Sequence, residues 1–364
     1  MVWNSPELAS LSLASFIRSR ASFFGFTQCG FAPVTVQEEA ANAFERWIAL
    51  GYQGTMAYLS RDSRMRVDAR RLLTGASGVV ALAIPYLAED ALEERGGDPV
   101  QCGDGDRDKQ SRALISRYAR FDDYHAVIKE KLNRMLDEIR DAFPGVDGLC
   151  CVDDRPIMEK SFAAAAGVGF VGKNTLLITK EHGSYVFLGE IILNAHLPSG
   201  TQMDDGCGSC DKCIRACPTQ ALVEPYVLDA RRCISYLTKD SNDGVPQELE
   251  PLMGAWVFGC DVCQEACPYN AKRKPVDLDG RFAPRSRLVN PSLDELLEHF
   301  SADLSCSDAR IETRRRFEDL TSTTPVSELG VERFLENLSR AKRNYSPCAF
   351  QGFESARGNA KVKA

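Results

Sequence analysis

The chain has 364 residues, of which 44% are hydrophobic and 26% are charged, a balance typical of a soluble globular protein with two or three domains. Its formal net charge of −7 argues against general affinity for nucleic acid, although residues 310–364 carry eleven Lys/Arg against seven Asp/Glu. No apolar run approaches the length of a membrane-spanning helix, and the first twenty residues lack the pattern of a signal peptide. We therefore expect a cytoplasmic protein that does not enter a membrane.

The first two hundred residues alternate between helical and strand-like segments. Residues 42–54 predict a helix closed by glycine, and residues 78–88 predict a buried strand. The polar, Gly-rich segment 89–108 is typical of an exposed loop. Residues 123–143 carry apolar side chains at helical spacing, which predicts a helix that faces the core.

A short strand is predicted at residues 148–152, followed by a helix with Pro156 in its first turn and Gly167 beyond its end. Residues 175–179 and 184–194 are expected to form a strand pair. The last third of the chain is expected to be mostly helical. It ends in a polar tail, residues 355–364, which we expect to be loose.

Fourteen cysteines are unusual in a cytoplasmic chain of this size, and a disulfide framework, a zinc site or an iron–sulfur site could explain them. Six are scattered and are expected to be small buried side chains. The other eight include two copies of the pattern Cys-x2-Cys-x3-Cys-Pro, which is typical of bacterial ferredoxins and favours iron–sulfur over zinc. These eight candidate ligands are Cys207, Cys210, Cys213, Cys217, Cys233, Cys260, Cys263 and Cys267.

In such ferredoxins the fourth cysteine of each run binds the other cluster. This crossing rule assigns one [4Fe–4S] cluster to Cys207, Cys210, Cys213 and Cys267. It assigns the second cluster to Cys233, Cys260, Cys263 and Cys217.

Other motifs of the first two hundred residues give weaker signals. Residues 167–174 fit GxxxxGK, but Asn174 stands where a P-loop needs Ser or Thr and the following segment is strand-like, so we reject nucleotide hydrolysis. Asp153 and Asp154 follow a strand, where either catalysis or helix capping is possible. His125 is interpreted from position alone as a capping or packing residue.

Six blocks resemble, in order, the epoxyqueuosine reductase family: SRYARFDDYH, VDDRPIMEKSFAAAAGVGFVGKNTLLI, GSYVFLGEI, CGSCDKCIRACPTQAL, CISYLT and WVFGCDVCQEACPYN. The resemblance implies reduction of epoxyqueuosine to queuosine at the wobble position of tRNA anticodons, the last step of queuosine biosynthesis. Two [4Fe–4S] clusters would pass electrons to cobalamin. The implied fold is α/β in the broad sense (α+β). It has a nitroreductase-like cobalamin-binding catalytic domain at 1–200, a two-cluster ferredoxin-like domain at 201–275 and a helical region with tRNA contacts at 276–364.

The resemblance also implies roles for individual residues. Asp153 matches the proton donor to the departing epoxide oxygen, and His125 matches a position near the substrate. Asp154 departs from the family pattern, which makes it a rival to Asp153. The residues that match blocks bordering cobalamin are Arg66, Ser116, Asp153, Lys173, Asn174, Leu177, Ser235 and Asp240.

Two alternatives remain open at this point. One is another cobalamin/iron–sulfur enzyme similar to reductive dehalogenases. The other is an electron-transfer iron–sulfur subunit without a substrate of its own. For the reductase we expect a tRNA with a queuosine-type anticodon as partner, an unidentified low-potential electron donor and a monomeric state.

Overall fold

The computed structural model describes residues 6–87, 112–273, 279–300 and 307–344. The predicted loop at 89–108 and the predicted tail at 355–364 lie outside the described residues. The described chain divides into two compact units. The first contains residues 6–87, 122–231, 261–273 and 279–283, and the second contains residues 112–121, 232–260, 284–300 and 307–344.

Strands and helices are distributed over the whole described chain. The strands are β1 (Gln28–Ala32), β2 (Gly78–Pro85), β3 (Leu114–Ile115), β4 (Gly148–Cys151), β5 (Phe170–Val171), β6 (Leu177–Ile178), β7 (Val186–Leu193), β8 (Leu222–Glu224), β9 (Val227–Leu228) and β10 (Trp256–Phe258). The helices are α1 (Pro6–Phe23), α2 (Glu38–Ala49), α3 (Ala57–Arg61), α4 (Ser63–Arg66), α5 (Tyr124–Ala142), α6 (Glu159–Ala165), α7 (Lys212–Ala216), α8 (Ile234–Lys239), α9 (Val262–Glu265), α10 (Pro268–Ala271), α11 (Leu293–His299), α12 (Ser307–Thr321) and α13 (Val331–Asn344).

The first unit is built on a four-stranded sheet in the order β1-β2-β7-β4, with every neighbouring pair antiparallel. All eight residues of β2 are buried, as the apolar run predicts. Because β2 and β7 are central strands covered on both faces, they consist almost entirely of apolar residues. The antiparallel sheet makes the fold α+β.

Helices cover both faces of this sheet. The predicted amphipathic helix is α5, and it buries Val127, Ile128, Leu132, Met135, Leu136 and Ile139. A side chain at Gly189 of β7 would contact Ile128 and Leu132, so the odd-numbered residues of β7 face α5. The opposite face packs against α6, because Phe162 of α6 shares one buried cluster with Ala81 of β2 and Ile192 of β7.

Two local predictions for this unit are wrong. The predicted helix with Pro156 in its first turn begins only at Glu159, because the preceding residues form the bends that follow β4. The predicted pairing of residues 175–179 with 184–194 is also wrong: β6 pairs with β5, and β7 pairs with β2 and β4. Strand propensity was read correctly here, but long-range pairing decided the partners.

The second unit has its own apolar core and only short strands. β3 and β10 pair in parallel, and a buried cluster joins Ile115, Phe258, Phe317 and Phe334. The Asn337 side chain of α13 is buried, and its amide donates to the carbonyls of Thr238 at 3.0 Å and Val257 at 2.9 Å. These bonds fix α13 on α8 and β10 within the unit, which has the helical character predicted for the last third of the chain. Among the described helices, none is long and apolar enough to span a membrane.

Candidate functional site

Asp153 lies in the bend between β4 and α6 of the first unit. Its backbone is left-handed, with a φ of 49°, a conformation that costs most non-glycine residues energy but that Asp tolerates better than most. The hydroxyl of Tyr124 donates to its Oδ2 at 3.0 Å, and Nε2 of His125 lies 3.9 Å from the same oxygen. The first turn of α5 therefore holds the side chain of the predicted proton donor.

His125 lies between two carboxylates. Its Nδ1 is 2.7 Å from Oδ1 of Asp123, and Asp123 also caps α5 by accepting from the His125 backbone N–H at 3.0 Å. Although burial opposes it, hydrogen bonding to Asp123 and Asp153 raises the pKa of His125 to about 10. At neutral pH the ring is an imidazolium that donates to Asp123 and lies beside the Asp153 carboxylate.

A stack of aromatic rings packs against Tyr124, the residue whose hydroxyl donates to Asp153. The ring of Tyr124 lies parallel to that of Phe187, with centroids 4.2 Å apart, and Phe187 stacks on Tyr86 at 4.3 Å. Offset stacking of aromatic rings is favourable and restricts ring rotation. The Tyr124 hydroxyl is thus directed at Asp153 by packing against β7.

Asp154 has different partners. Its carboxylate accepts from Nζ of Lys129 at 2.7 Å and from the backbone N–H of Val152 at 2.9 Å. Although partial burial opposes it, hydrogen bonding to Lys129 lowers the pKa of Asp154 below its usual value. These bonds tie Asp154 to α5 and to the end of β4, which suits a structural role.

The predicted cofactor-lining residues of the first unit fall into two places. Arg66 lies near the Asp153 bend, close enough to interact electrostatically with Asp153 and Glu159, and burial lowers its pKa. Lys173, Asn174 and Leu177 belong to the β5–β6 hairpin. The Lys173 Nζ donates to the carbonyl of Gly208 at 2.5 Å, which ties this hairpin to the cysteine-rich segment.

The other predicted cofactor-lining residues belong to the second unit. Ser116 is 1% exposed, and its backbone N–H donates to the Phe258 carbonyl at 2.8 Å. Ser235 lies in α8, and Asp240 follows the end of that helix.

Three of the candidate cluster ligands converge in the first unit. The thiol groups of Cys207, Cys213 and Cys267 are close enough to interact electrostatically. Cys207 and Cys267 also share an apolar lining with Phe170 and Ile178. Three soft sulfur donors against an apolar wall fit an iron–sulfur cluster.

Backbone N–H groups point at the sulfur atoms of two of the eight candidate cluster ligands. The N–H of Lys173 lies 3.4 Å from Sγ of Cys207, and the N–H of Ala221 lies 3.3 Å from Sγ of Cys217. Such bonds stabilise the negative charge of cluster thiolates and tune the reduction potential. Cys210 and Cys263 also belong to the first unit, and Cys233 and Cys260 belong to the second.

The remaining described cysteines are not thiolates. Burial raises the pKa of Cys29 to about 12 and that of Cys150 to about 12. Cys151 is fully buried, and its burial raises the pKa of its thiol in the same way. The prediction that the scattered cysteines are small buried side chains is confirmed for Cys150 and Cys151, and Cys29 is half-buried. Cys102, Cys306 and Cys348 lie outside the described residues.

Several site residues were missed from the sequence. Tyr124 falls on the apolar stripe that predicts α5, yet its hydroxyl reaches Asp153. Glu159 and Glu190 were not singled out, although the first accepts from the Asp153 backbone N–H and the second is fully buried in β7. A charged residue within the apolar run of β7 was the one available signal for Glu190.

Comparison with known proteins identifies the family. Residues 66–154 match the family described as "Epoxyqueuosine reductase QueG, DUF1730", and residues 206–270 match "4Fe-4S double cluster binding domain". An epoxyqueuosine reductase of Pseudomonas aeruginosa is 36% identical over 329 residues, which cover 90% of this chain and 84% of the relative. The chain belongs to the epoxyqueuosine reductase family. It is therefore an oxidoreductase, and its residues 206–270 form a domain for two [4Fe–4S] clusters.

Solved structures of this family share the fold. A selenomethionine-labelled epoxyqueuosine reductase is similar with a TM-score of 0.78 and 29% identity, covering 92% of this chain and 82% of that one. An epoxyqueuosine reductase crystallised with an epoxyqueuosine-modified stem loop of tRNA-Tyr has a TM-score of 0.76 and 28% identity, with the same coverage.

Proposed function

We propose that this chain reduces epoxyqueuosine to queuosine at the wobble position of tRNA anticodons, with Asp153 as the proton donor. The observation that carries the proposal is the Asp153 bend. A carboxyl group held by a tyrosine hydroxyl and an imidazolium is part of the same unit as three converging thiols. Proton donation and electron supply are the two requirements for opening an epoxide to an alkene with loss of water.

The cysteines hold the two clusters. We assign Cys207, Cys210, Cys213 and Cys267 to one cluster, and Cys233, Cys260, Cys263 and Cys217 to the other, by the crossing rule of two-cluster ferredoxins. The contacts among Cys207, Cys213 and Cys267 support the first set.

The N-terminal domain, residues 1–200, is proposed to bind cobalamin. Two buried nitrogen atoms, Nδ2 of Asn174 and Nε of Arg66, have no hydrogen-bond partner among the described residues. A buried donor without a partner is costly, and the amide and phosphate groups of a corrinoid are suitable acceptors. Cobalamin, once reduced, would supply two electrons to the substrate. Lys173 and Leu177 of the same unit complete the proposed lining, and Ser116, Ser235 and Asp240 stay predictions from the sequence.

Asp153 and its neighbours are proposed to supply the proton that the epoxide oxygen needs. Asp153 donates to the epoxide oxygen as it leaves, and an acid in this position accelerates such a step by about a hundredfold to ten-thousandfold. The Tyr124 hydroxyl orients the carboxyl group from one side. The His125 imidazolium lies beside Asp153, with its Nε2 3.9 Å from Oδ2, and is proposed to face the substrate.

The tRNA is proposed to contact the helical region that begins at residue 276. Ion pairs within this region offset part of its positive charge. In α12, Glu312 pairs with both Arg315 and Arg316 at 2.9 Å, and in α13 Lys342 pairs with Asp294. These pairs reduce the excess of free positive charge, so the phosphate contacts are expected to be few and sensitive to salt.

The direct test is a reaction with the purified, cluster-loaded chain. Cobalamin, a chemical reductant and a tRNA stem loop carrying epoxyqueuosine are added, and nucleosides are analysed by mass spectrometry. We expect queuosine to form with the parent chain and not with Asp153→Asn. A chain that reduces bound cobalamin but never converts the stem loop would contradict the proposal and favour a dehalogenase-like reductase. Absence of cobalamin binding would favour the electron-transfer subunit.

A further inference from the structure

Glu190 is a charged residue in the middle of a buried strand. It lies in β7, opposite Ala81 of β2 and Cys151 of β4, and its exposure is 0%. Residues directly opposite in antiparallel strands share a face, so its side chain lies on the α6 side of the sheet with the cluster that contains Phe162. In the part of the chain that the structure describes, neither carboxyl oxygen has a hydrogen-bond partner. An ionised carboxylate is very costly in such a place.

Glu159 connects this buried carboxyl to the Asp153 bend. It is the first residue of α6, and its Oε1 accepts from the Asp153 backbone N–H. The Glu190 carboxyl group lies within hydrogen-bonding reach of the Glu159 carboxyl group. Two carboxylates in such contact repel each other when both are ionised, and one proton between them turns the repulsion into a hydrogen bond.

The charged groups around the pair come from four elements. Asp153 and Asp154 follow β4, His125 lies in α5, Lys160 follows Glu159 in α6, and Arg66 ends α4. The cations favour ionisation of Glu159, but its partial burial and the Asp153 carboxylate raise its pKa. Burial and the Glu159 carboxylate raise the pKa of Glu190 well above its usual value. Burial also keeps the Cys151 thiol beside the pair neutral.

We propose that Glu159 and Glu190 share one proton and, as positioning residues, hold the Asp153 backbone in its left-handed conformation. The catalytic side of this inference rests on the proposed function, because it assumes that Asp153 donates the proton to the substrate. With the shared proton in place, Glu159 is anchored to β7 and accepts from the Asp153 N–H. Loss of that proton at high pH puts two negative charges behind Asp153 and releases the bend.

The first test looks for the proton itself. Infrared spectra of the cluster-loaded chain at pH 8 are expected to show the carbonyl band of a protonated carboxylic acid, and uniform [13C]glutamate labelling should shift that band. Glu190→Gln should remove it, because Glu159 then ionises beside a neutral amide. The exposed Glu38→Gln is the matched control and should leave the band unchanged. A parent chain without the band at pH 8 overturns the proposal.

The second test uses thermal unfolding of the same samples. A carboxyl pair with a raised pKa makes the folded state bind a proton that the unfolded state releases above about pH 4.5. Stability from this proton is therefore lost as pH rises above that value. We expect the melting temperature of Glu190→Gln to exceed that of the parent at pH 9 and to lose this advantage at pH 5. Equal destabilisation at both values indicates a packing role and overturns the shared proton.

The third test follows single-turnover reduction of the stem loop from pH 6 to pH 10. The parent rate should fall more steeply towards high pH than the rate of Glu190→Gln, because only the parent also loses the bend. Parallel profiles would overturn the positioning role. If Glu190→Gln does not fold, Glu159→Gln serves as the second variant: Glu190 stays buried and protonated, so the band should persist. Loss of the band in that variant overturns the assignment to Glu190. The first two tests need no tRNA, so they distinguish failure of the pair from failure of the proposed function.

Discussion

Two parts of the first unit treat negative charge in opposite ways: the cysteine-rich segments 207–217 and 261–267, here called the cysteine loops, and the carboxylate cluster of Asp153, Glu159 and Glu190. The loops supply donors to the sulfur atoms, such as the N–H groups of Lys173 and Ala221. The carboxylate cluster gives Glu190 no donor among the described residues and buries it completely. Thiolates in the loops can be neutralised by iron, whereas Glu190 can be neutralised only by a proton.

A site that binds a metal cluster and a site that holds a proton have different structural requirements. Cluster ligands need sulfur atoms at short, regular spacing, and half-exposed positions suffice. A proton-holding pair needs a low dielectric and a second carboxyl group placed by a different element. With the proposed roles, electrons and protons would be handled by parts of the unit that should respond differently to substitution, pH and temperature.

The largest expected effect is on the cysteine loops. Cys213→Ser should remove one cluster, so that iron falls from about eight to about four atoms per chain and activity is lost. Iron analysis and visible absorption measure the loss. Cys150→Ser is the matched control, because this buried thiol is not a thiolate and the variant should keep its full iron content. Equal iron loss in both variants would contradict the ligand assignment.

Asp153→Asn tests the carboxylate region alone. We expect a rate loss of about a hundredfold or more in single-turnover reduction of the stem loop, with unchanged iron content, because the amide cannot donate a carboxylic proton. Asp154→Asn should lose far less, since its carboxylate serves Lys129 and the Val152 N–H. A greater loss in Asp154→Asn would transfer the acid role to Asp154.

Gly183→Ala is expected to disturb the packing of Gly183 against Asn270, which lies three residues after Cys267. A Cβ atom there would lie 1.9 Å from Oδ1 of Asn270, which accepts from the Ser184 N–H at 2.7 Å. With a φ of 63° at Gly183, we expect a loss of about 2 to 3 kcal/mol in stability. Gly75→Ala is the control, because its φ is also positive but its Cβ would meet nothing within 4 Å, and it should cost about 1 kcal/mol. Similar melting temperatures for the two variants would contradict the clash.

The smallest effect is the pH dependence contributed by His125. A pKa raised from 6.5 to about 10 means that the folded state gains stability from the bound proton. This gain is fully present below pH 6.5 and is lost as pH rises through 10. The stability difference between the parent and His125→Asn should therefore shrink over that window, measured by thermal unfolding. A stability difference that stays constant from pH 6.5 to pH 10 would contradict the assignment.

Much of the fold was predictable from local patterns. The apolar spacing of residues 123–143 predicted α5, and the continuous apolar run predicted β2. The prediction that glycine closes the helix within residues 42–54 is also confirmed, since α2 ends before Gly51, which has a positive φ. These features depend on interactions within a few residues, which is why periodicity reports them.

Pairing and helix starts were harder to predict. The hairpin of β5 and β6 and the central place of β7 depend on strands far apart in sequence. Pro156 is compatible with a first helical turn, but the bend that presents Asp153 delays α6 to Glu159. Local propensity cannot weigh such long-range contacts.

The sequence by itself determined the eight candidate cluster ligands, their repeat and the position of Asp153 after a strand. Only the tertiary structure decided which groups surround that carboxyl group: Tyr124 and His125 from α5, and Glu159 with Glu190 behind it. The physical reason is the distance along the chain over which the interacting residues are spread. Ligand spacing for a metal cluster is largely encoded along the chain, whereas the protonation of a carboxyl group is set by burial and by neighbours that separate strands and helices bring together.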